Sequence, residues 1–123
     1  MNAVVFERFL DTVRVDGLPL LSPSKVAERL AVPVQQFADW AGVHRNTLRL
    51  HPESIQVQEF TRGVLRVLSA AAEINPDIDR TVFWYMNAPI PSFRHKTACQ
   101  LVAEKRADDV VNYLESIKSG YVG

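Results

Sequence analysis

Apolar positions recur every three or four residues along most of this chain. Nowhere do apolar and polar residues alternate long enough to describe a strand. The spacing predicts a short helix over residues 3–14, with Val5, Phe6, Phe9, Leu10 and Val13 in phase; the alternative there is a ragged arm. "DGLPLLSPS" reads as a loop, rich in Gly, Pro and Ser. Ser22 or Ser24 then caps a helix, "SKVAERLAV", whose inner face carries Val26 and Leu30. Pro33 restarts the chain as a first-turn proline. Two short helices follow, "VQQFADWAGV" and "HRNTLRL", the second stopped by His51-Pro52 because a residue before proline avoids the helical region.

The longest helix is expected over "SIQVQEFTRGVLRVLSAAAEI", with Val57, Phe60, Val64, Val67, Leu68 and Ala71 as a continuous stripe. Gly63 interrupts it at a cost of about 1 kcal/mol against alanine, which close packing on another helix would explain. "NPD" breaks the chain. "IDRTVFWYM" resumes it, with Ile78, Val82, Phe83 and Met86 spaced for burial. After the prolines of "PIPSF" come "KTACQLVAEK" and "ADDVVNYLESIKSG", the last with Val110, Leu114 and Ile117 in phase and Gly120 suited to its C-terminal cap. The expected fold is all-α. Its expected division is an arm or short helix over 1–21, a helix-turn-helix unit over 22–52, a connecting long helix over 53–75, and a helical domain over 76–123.

The segment Val34–Leu50 is the first to suggest a function. Two short helices meet through Gly42, which can take the positive φ that ends the first. Phe37, Ala38 and Ala41 would face inward, and Val43 and Leu48 would fill the space between the helices. At 100° per residue, Thr47, Leu48 and His51 fall on one side of the second helix, and Arg45, Asn46 and Arg49 on the other. That outer face has two arginines, an amide and no acid. Arginine suits guanine edges or phosphates and asparagine suits adenine edges, as a reading helix in a major groove requires. With His44, a weak N-cap, these are the candidate DNA contacts. The competing interpretation is a helical hairpin with a solvated charged face.

Composition tempers this. The 123 residues carry 14 basic and 14 acidic side chains, so there is no basic coat for nucleic acid. Residues 22–66 hold Lys25, Arg29, Arg45, Arg49, Arg62 and Arg66 against Glu28, Asp39, Glu53 and Glu59, a modest local excess. A DNA-binding chain of this balance is expected to act as a homodimer or hetero-oligomer, and the long stripe of the connecting helix is a candidate for supporting that assembly. A lone cysteine, Cys99, permits no intrachain disulfide and is expected in the core. No apolar run reaches a membrane span and "MNAVVFERFLDTVR" lacks a signal-peptide core, so a soluble cytoplasmic chain, with no membrane partner, is expected. His44, His51 and His95 are scattered and make no metal-ligand spacing. Asp108-Asp109 points about 100° apart on a helix and suits the start of that helix better than acid-base chemistry. No phosphate loop or catalytic triad stands out, and neither an enzyme nor a cofactor is expected.

From Trp84 onward the motifs "FWYMNAPIPSF", "KTACQLVAE", "RADDVVNYLESI" and "SGYVG" form a series. With the upstream helix-turn-helix, this series resembles the Xre/MbcA/ParS-type antitoxin family over about residues 17–123. The resemblance implies an antitoxin of a type II toxin-antitoxin system. Its partner would be a RES-domain toxin that depletes NAD, neutralised by direct binding, and it would repress its operon at operator DNA. Toxin contacts are implied at Lys96, Arg106, Tyr113, Lys118, Tyr121 and Val122 in the C-terminal domain. Two departures stand out: Arg94-His95 where relatives have small residues or glycine, and Lys105 where glycine is common. On residue chemistry alone, Tyr121 and Val122 are either an aromatic anchor for a partner or a frayed end. "PIPSF" is expected as a rigid connection held by Ile90 and Phe93, positioning the last two helices. The alternative function is a stand-alone helix-turn-helix regulator whose C-terminal half dimerises; a third is an interaction adaptor without DNA binding.

Overall fold

The computed structural model describes residues 2–16, 18 and 20–120, with side chains from Val5 onward. The chain is all-α apart from one two-stranded antiparallel ribbon. Its helices are α1 (Asn2–Asp11), α2 (Pro23–Arg29), α3 (Val34–Ala41), α4 (Arg45–Leu50), α5 (Ile55–Ala72), α6 (Ile78–Asn87), α7 (Ala98–Ala103) and α8 (Ala107–Lys118). No helix among the described residues is long and apolar enough to cross a membrane. The chain forms two units: Arg8–Arg62, and the chain from Gly63 onward with residues up to Glu7.

In the first unit α2, α3 and α4 pack on one another. Ser22 caps α2, its hydroxyl accepting from the Lys25 amide at 3.2 Å. The loop before it is pinned: Val15 donates to the Leu20 carbonyl at 2.7 Å and Ser22 to that of Val13 at 2.6 Å. This pinning ends α1 at Asp11 rather than at residue 14. Phe37 is buried with its ring edge-on to Phe60 at 5.1 Å. Pro33 sits at the N-cap of α3, one position before the helix proper.

The stripe on α5 is spent inside the chain: Val57, Val64, Val67, Leu68 and Ala71 are all buried, with Phe60 half-buried. It is therefore not available for the assembly role considered above. Gly63 faces Val102 and Ala107, but a methyl there would sit at ordinary contact distance, 3.5 Å from the Ala107 Cβ, so packing does not demand glycine.

In the second unit, α7 packs on α6, α8 and the ribbon. "PIPSF" is a hairpin rather than a simple connection. Strands β1 (Pro89–Ile90) and β2 (Lys96–Thr97) pair Pro89 with Thr97 and Ile90 with Lys96, around a 3-10 turn at Pro91–Phe93. Two-residue strands leave no alternation to read. Ile90 is buried as expected and Phe93 half-buried. Thr97 and Gln100 form a reciprocal capping box that starts α7.

One face is corrected. On α6 the buried pair is Thr81 and Tyr85, the latter 1% exposed, whereas Phe83 is 68% exposed and Ile78, Val82 and Met86 are half-buried. The run Val82–Met86 is apolar or aromatic at every position, so spacing alone does not choose the inner face of the helix. Thr81 can be buried because its hydroxyl donates to the Asn75 carbonyl at 3.1 Å. Ile117, too, remains 42% exposed.

α2 and α7 end in the same way. Val32 donates to Ala27 and Arg106 to Leu101, six-residue closures that leave Ala31 and Lys105 left-handed at φ 59° and 63°. A left-handed side-chain residue costs about 1–2 kcal/mol. Part of that is offset by the chain entropy a glycine loses. Lys105→Gly is therefore expected to raise unfolding free energy by about 0.5–1 kcal/mol in urea titrations; a loss of stability would refute the strain.

Candidate functional site

α4 is built to expose one face. The α3–α4 turn closes through Gly42 at φ 76°, with Val43 donating to the Ala38 carbonyl at 3.0 Å. The α5 side chain Gln56 reaches back to the Ala41 and Gly42 carbonyls at 3.3 and 3.2 Å. Leu48 is fully buried, which fixes the rotation of α4 about its axis. Arg45, Asn46 and Arg49 are consequently exposed, and their side chains make no hydrogen bond or ion pair with any described residue. His44 is the exposed N-cap, with no side-chain capping bond, as its residue type suggests. Arg45, Asn46 and Arg49 thus share one exposed face of α4, and His44 is exposed at its N-terminal end. Two details differ. His51 follows the last helical residue at φ −131°, so it leaves the helical phase and is exposed beside Glu53, Nδ1 to Oε2 at 3.3 Å. Leu50, not singled out above, is 69% exposed and extends the outer face toward the C-terminal end of α4. The nearest acid in the preceding helix, Asp39, accepts from the Gln35 carboxamide at 2.9 Å.

Two of the residues implied for toxin binding are brought together. Arg106 and Tyr113 meet through Phe93: the guanidinium lies 5.3 Å from the ring centroid, and the tyrosine ring is edge-on at 5.8 Å. Arg106 also donates to Asp109 at 2.9 Å. Lys96 lies on β2 and is paired with Glu104 at 2.7 Å. Lys118 lies near the far end of α8 and is paired with Glu73, whose hydrogen bond and charge raise the lysine pKa. Tyr121 and Val122 lie outside the described residues. Gly120 takes φ 76° after the C-cap Ser119, as its position suggests.

Beside these residues runs an apolar groove of about 190 Å³ that the sequence did not announce. Ile74, Trp84, Tyr113, Leu114 and Ile117 form its walls. A sequence signal did exist: Trp84 and Ile117 sit on helices with more apolar positions than one buried face can use.

Cys99 is buried, and burial pushes its thiol up to about 11, which leaves it protonated and unreactive near neutrality. Among the described residues no group of His, Cys, Asp or Glu could hold a metal ion. No family model matches the chain, and no curated protein or solved structure is significantly similar to it.

Proposed function

We propose that the chain is an antitoxin of the Xre/MbcA/ParS type, binding a RES-domain toxin through its C-terminal helices and repressing its operon through α3 and α4. The observation that carries this reading is the backbone at the two departures from the family pattern. Arg94, His95 and Lys105 have φ of 57°, 63° and 63°. Left-handed positions of this kind favour glycine, and at these positions many members of the resembled family carry small residues or glycine. Left-handed backbone at these positions supports the resemblance. The exposed arginines of α4, unpaired among the described residues, support the DNA-binding half. On this reading the chain acts in the cytoplasm by binding, needs no cofactor, and is not an enzyme.

The test is co-expression with the protein encoded beside it, purification through a tag on one partner, and measurement of growth and cellular NAD. A stable complex with restored NAD is expected. Cutting the chain after Ser119 separates the two candidate surfaces: loss of rescue places the key contacts in the tail, whereas retained rescue places them on the helices. No complex and no rescue would overturn the antitoxin reading and leave the stand-alone regulator, which the α4 face supports by itself. NAD turnover by the isolated chain would overturn both.

A further inference from the structure

The outer face of α6 is self-complementary. Asp79, Arg80, Phe83 and Asn87 are all exposed, and their three- and four-residue spacing puts them on one stripe. Phe83 is a large aromatic knob, 68% exposed. Next to the stripe lies a hole, the groove walled by Ile74, Trp84, Tyr113, Leu114 and Ile117. Arg80 belongs to both, since it also borders the groove. A knob and a hole side by side on one helix are what a two-fold contact needs, because the same patch must serve both copies.

We infer that this face binds a second copy of the chain, with α6 packed antiparallel on its counterpart and Phe83 of each copy seated in the other's groove. Charge and shape select the same register. A two-fold axis passing between Asp79 and Arg80 sets each carboxylate against the partner's guanidinium. Phe83 lies between three and four residues beyond that axis, about 5 Å along the helix. In an antiparallel pair it therefore meets the partner at about the level of Pro76, just before α6 begins and beside Ile74 of the groove. Arg80 is free to make the exchange. Its bond to Asp77 is 3.6 Å long, between side chains 78% and 51% exposed, a surface pair of little worth. The aromatic walls, Trp84 and Tyr113, are of the residue types that dominate interface cores.

This inference does not rest on the antitoxin reading, because it concerns the isolated full chain without toxin or DNA. Sedimentation velocity over a concentration series tests it. The wild-type chain is expected to dimerise. Phe83→Asp, an exposed substitution that should leave the circular dichroism spectrum unchanged, is expected to give a monomer. Asp79→Arg is expected to weaken the dimer by roughly tenfold or more through like-charge contact, and the double variant Asp79→Arg/Arg80→Asp to recover it. A wild-type monomer at the highest attainable concentration would overturn the inference and leave the groove to a different partner. A dimer indifferent to Phe83→Asp would overturn it by placing the interface elsewhere. Failure of the charge swap to recover association would overturn the proposed register.

Discussion

Replacing Arg45 and Arg49 together by alanine is expected to weaken the proposed specific DNA binding while leaving the melting temperature unchanged. Neither side chain bonds to any described residue, so truncation gives up no bond to one. Each arginine that makes a bidentate contact to a guanine contributes about 1–3 kcal/mol of discrimination. The pair together should therefore weaken a cognate site by roughly thirtyfold to twenty-thousandfold. Titration of labelled upstream DNA at several salt concentrations separates base from phosphate contacts. An arginine on a phosphate lowers the slope of log K against log salt by about 0.9 when it is removed. An arginine on a base edge changes sequence preference and leaves the slope nearly intact. Unchanged affinity in the double variant would sink the reading of α4 as a groove-reading helix and favour a solvated helical face.

The α4 face was legible in sequence because a single strong local constraint sets it. Leu48 is the sole apolar position in the middle of a helix six residues long. Once it turns inward, Arg45, Asn46 and Arg49 must turn out. Gly42 was legible for a similar reason, and the N-cap of α2 to within two serines, Ser22 or Ser24, of which Ser22 caps, since a left-handed turn and an N-cap each call for particular residues. The α6 face was not legible. "TVFWYM" offers apolar side chains in every direction, and the deciding event is the bond from Thr81 to the Asn75 carbonyl, outside the helix. The ribbon around Arg94-His95 was missed because its strands are too short to alternate and its left-handed residues are not glycines. In the candidate toxin surface, Lys96 and Lys118 read as available charges, yet each is paired, Lys118 with a residue 45 positions away. Nothing in local sequence records such a partner. The same blindness hid the groove, whose walls come from three separate helices and the turn after α5.

Gln58 shows what this long-range bonding is worth, and Gln58→Leu is expected to be the most damaging polar substitution in the first unit. The residue reads as an ordinary polar position on α5. In the structure it is buried, and its carboxamide nitrogen donates to the Leu21 carbonyl at 2.8 Å and to the Pro52 carbonyl at 2.7 Å. One side chain therefore ties the segment entering α2 and the segment leaving α4 to the same point on α5. Leucine nearly preserves the volume but leaves two partly buried carbonyls without a donor. Each such orphan costs about 1–3 kcal/mol, so a loss of roughly 2–6 kcal/mol is expected. Against a typical total of about 5–15 kcal/mol, that is a large fraction of the stability. Gln56→Ala is the control. Gln56 also bonds two carbonyls, of Ala41 and Gly42, but it is exposed and water can replace it, so its removal should cost about 1 kcal/mol or less. Urea titrations of the two variants decide the matter. Equal losses would mean that water reaches the Leu21 and Pro52 carbonyls as easily as those of the α3–α4 turn, and that burial of Gln58 does not set the cost. The expected ordering would mean that the frame holding α4 in position depends on one carboxamide distant from it in sequence. On that outcome, Gln58→Leu should weaken DNA binding only as far as it depopulates the folded state, and binding measured well below its melting temperature should match that of the unaltered chain.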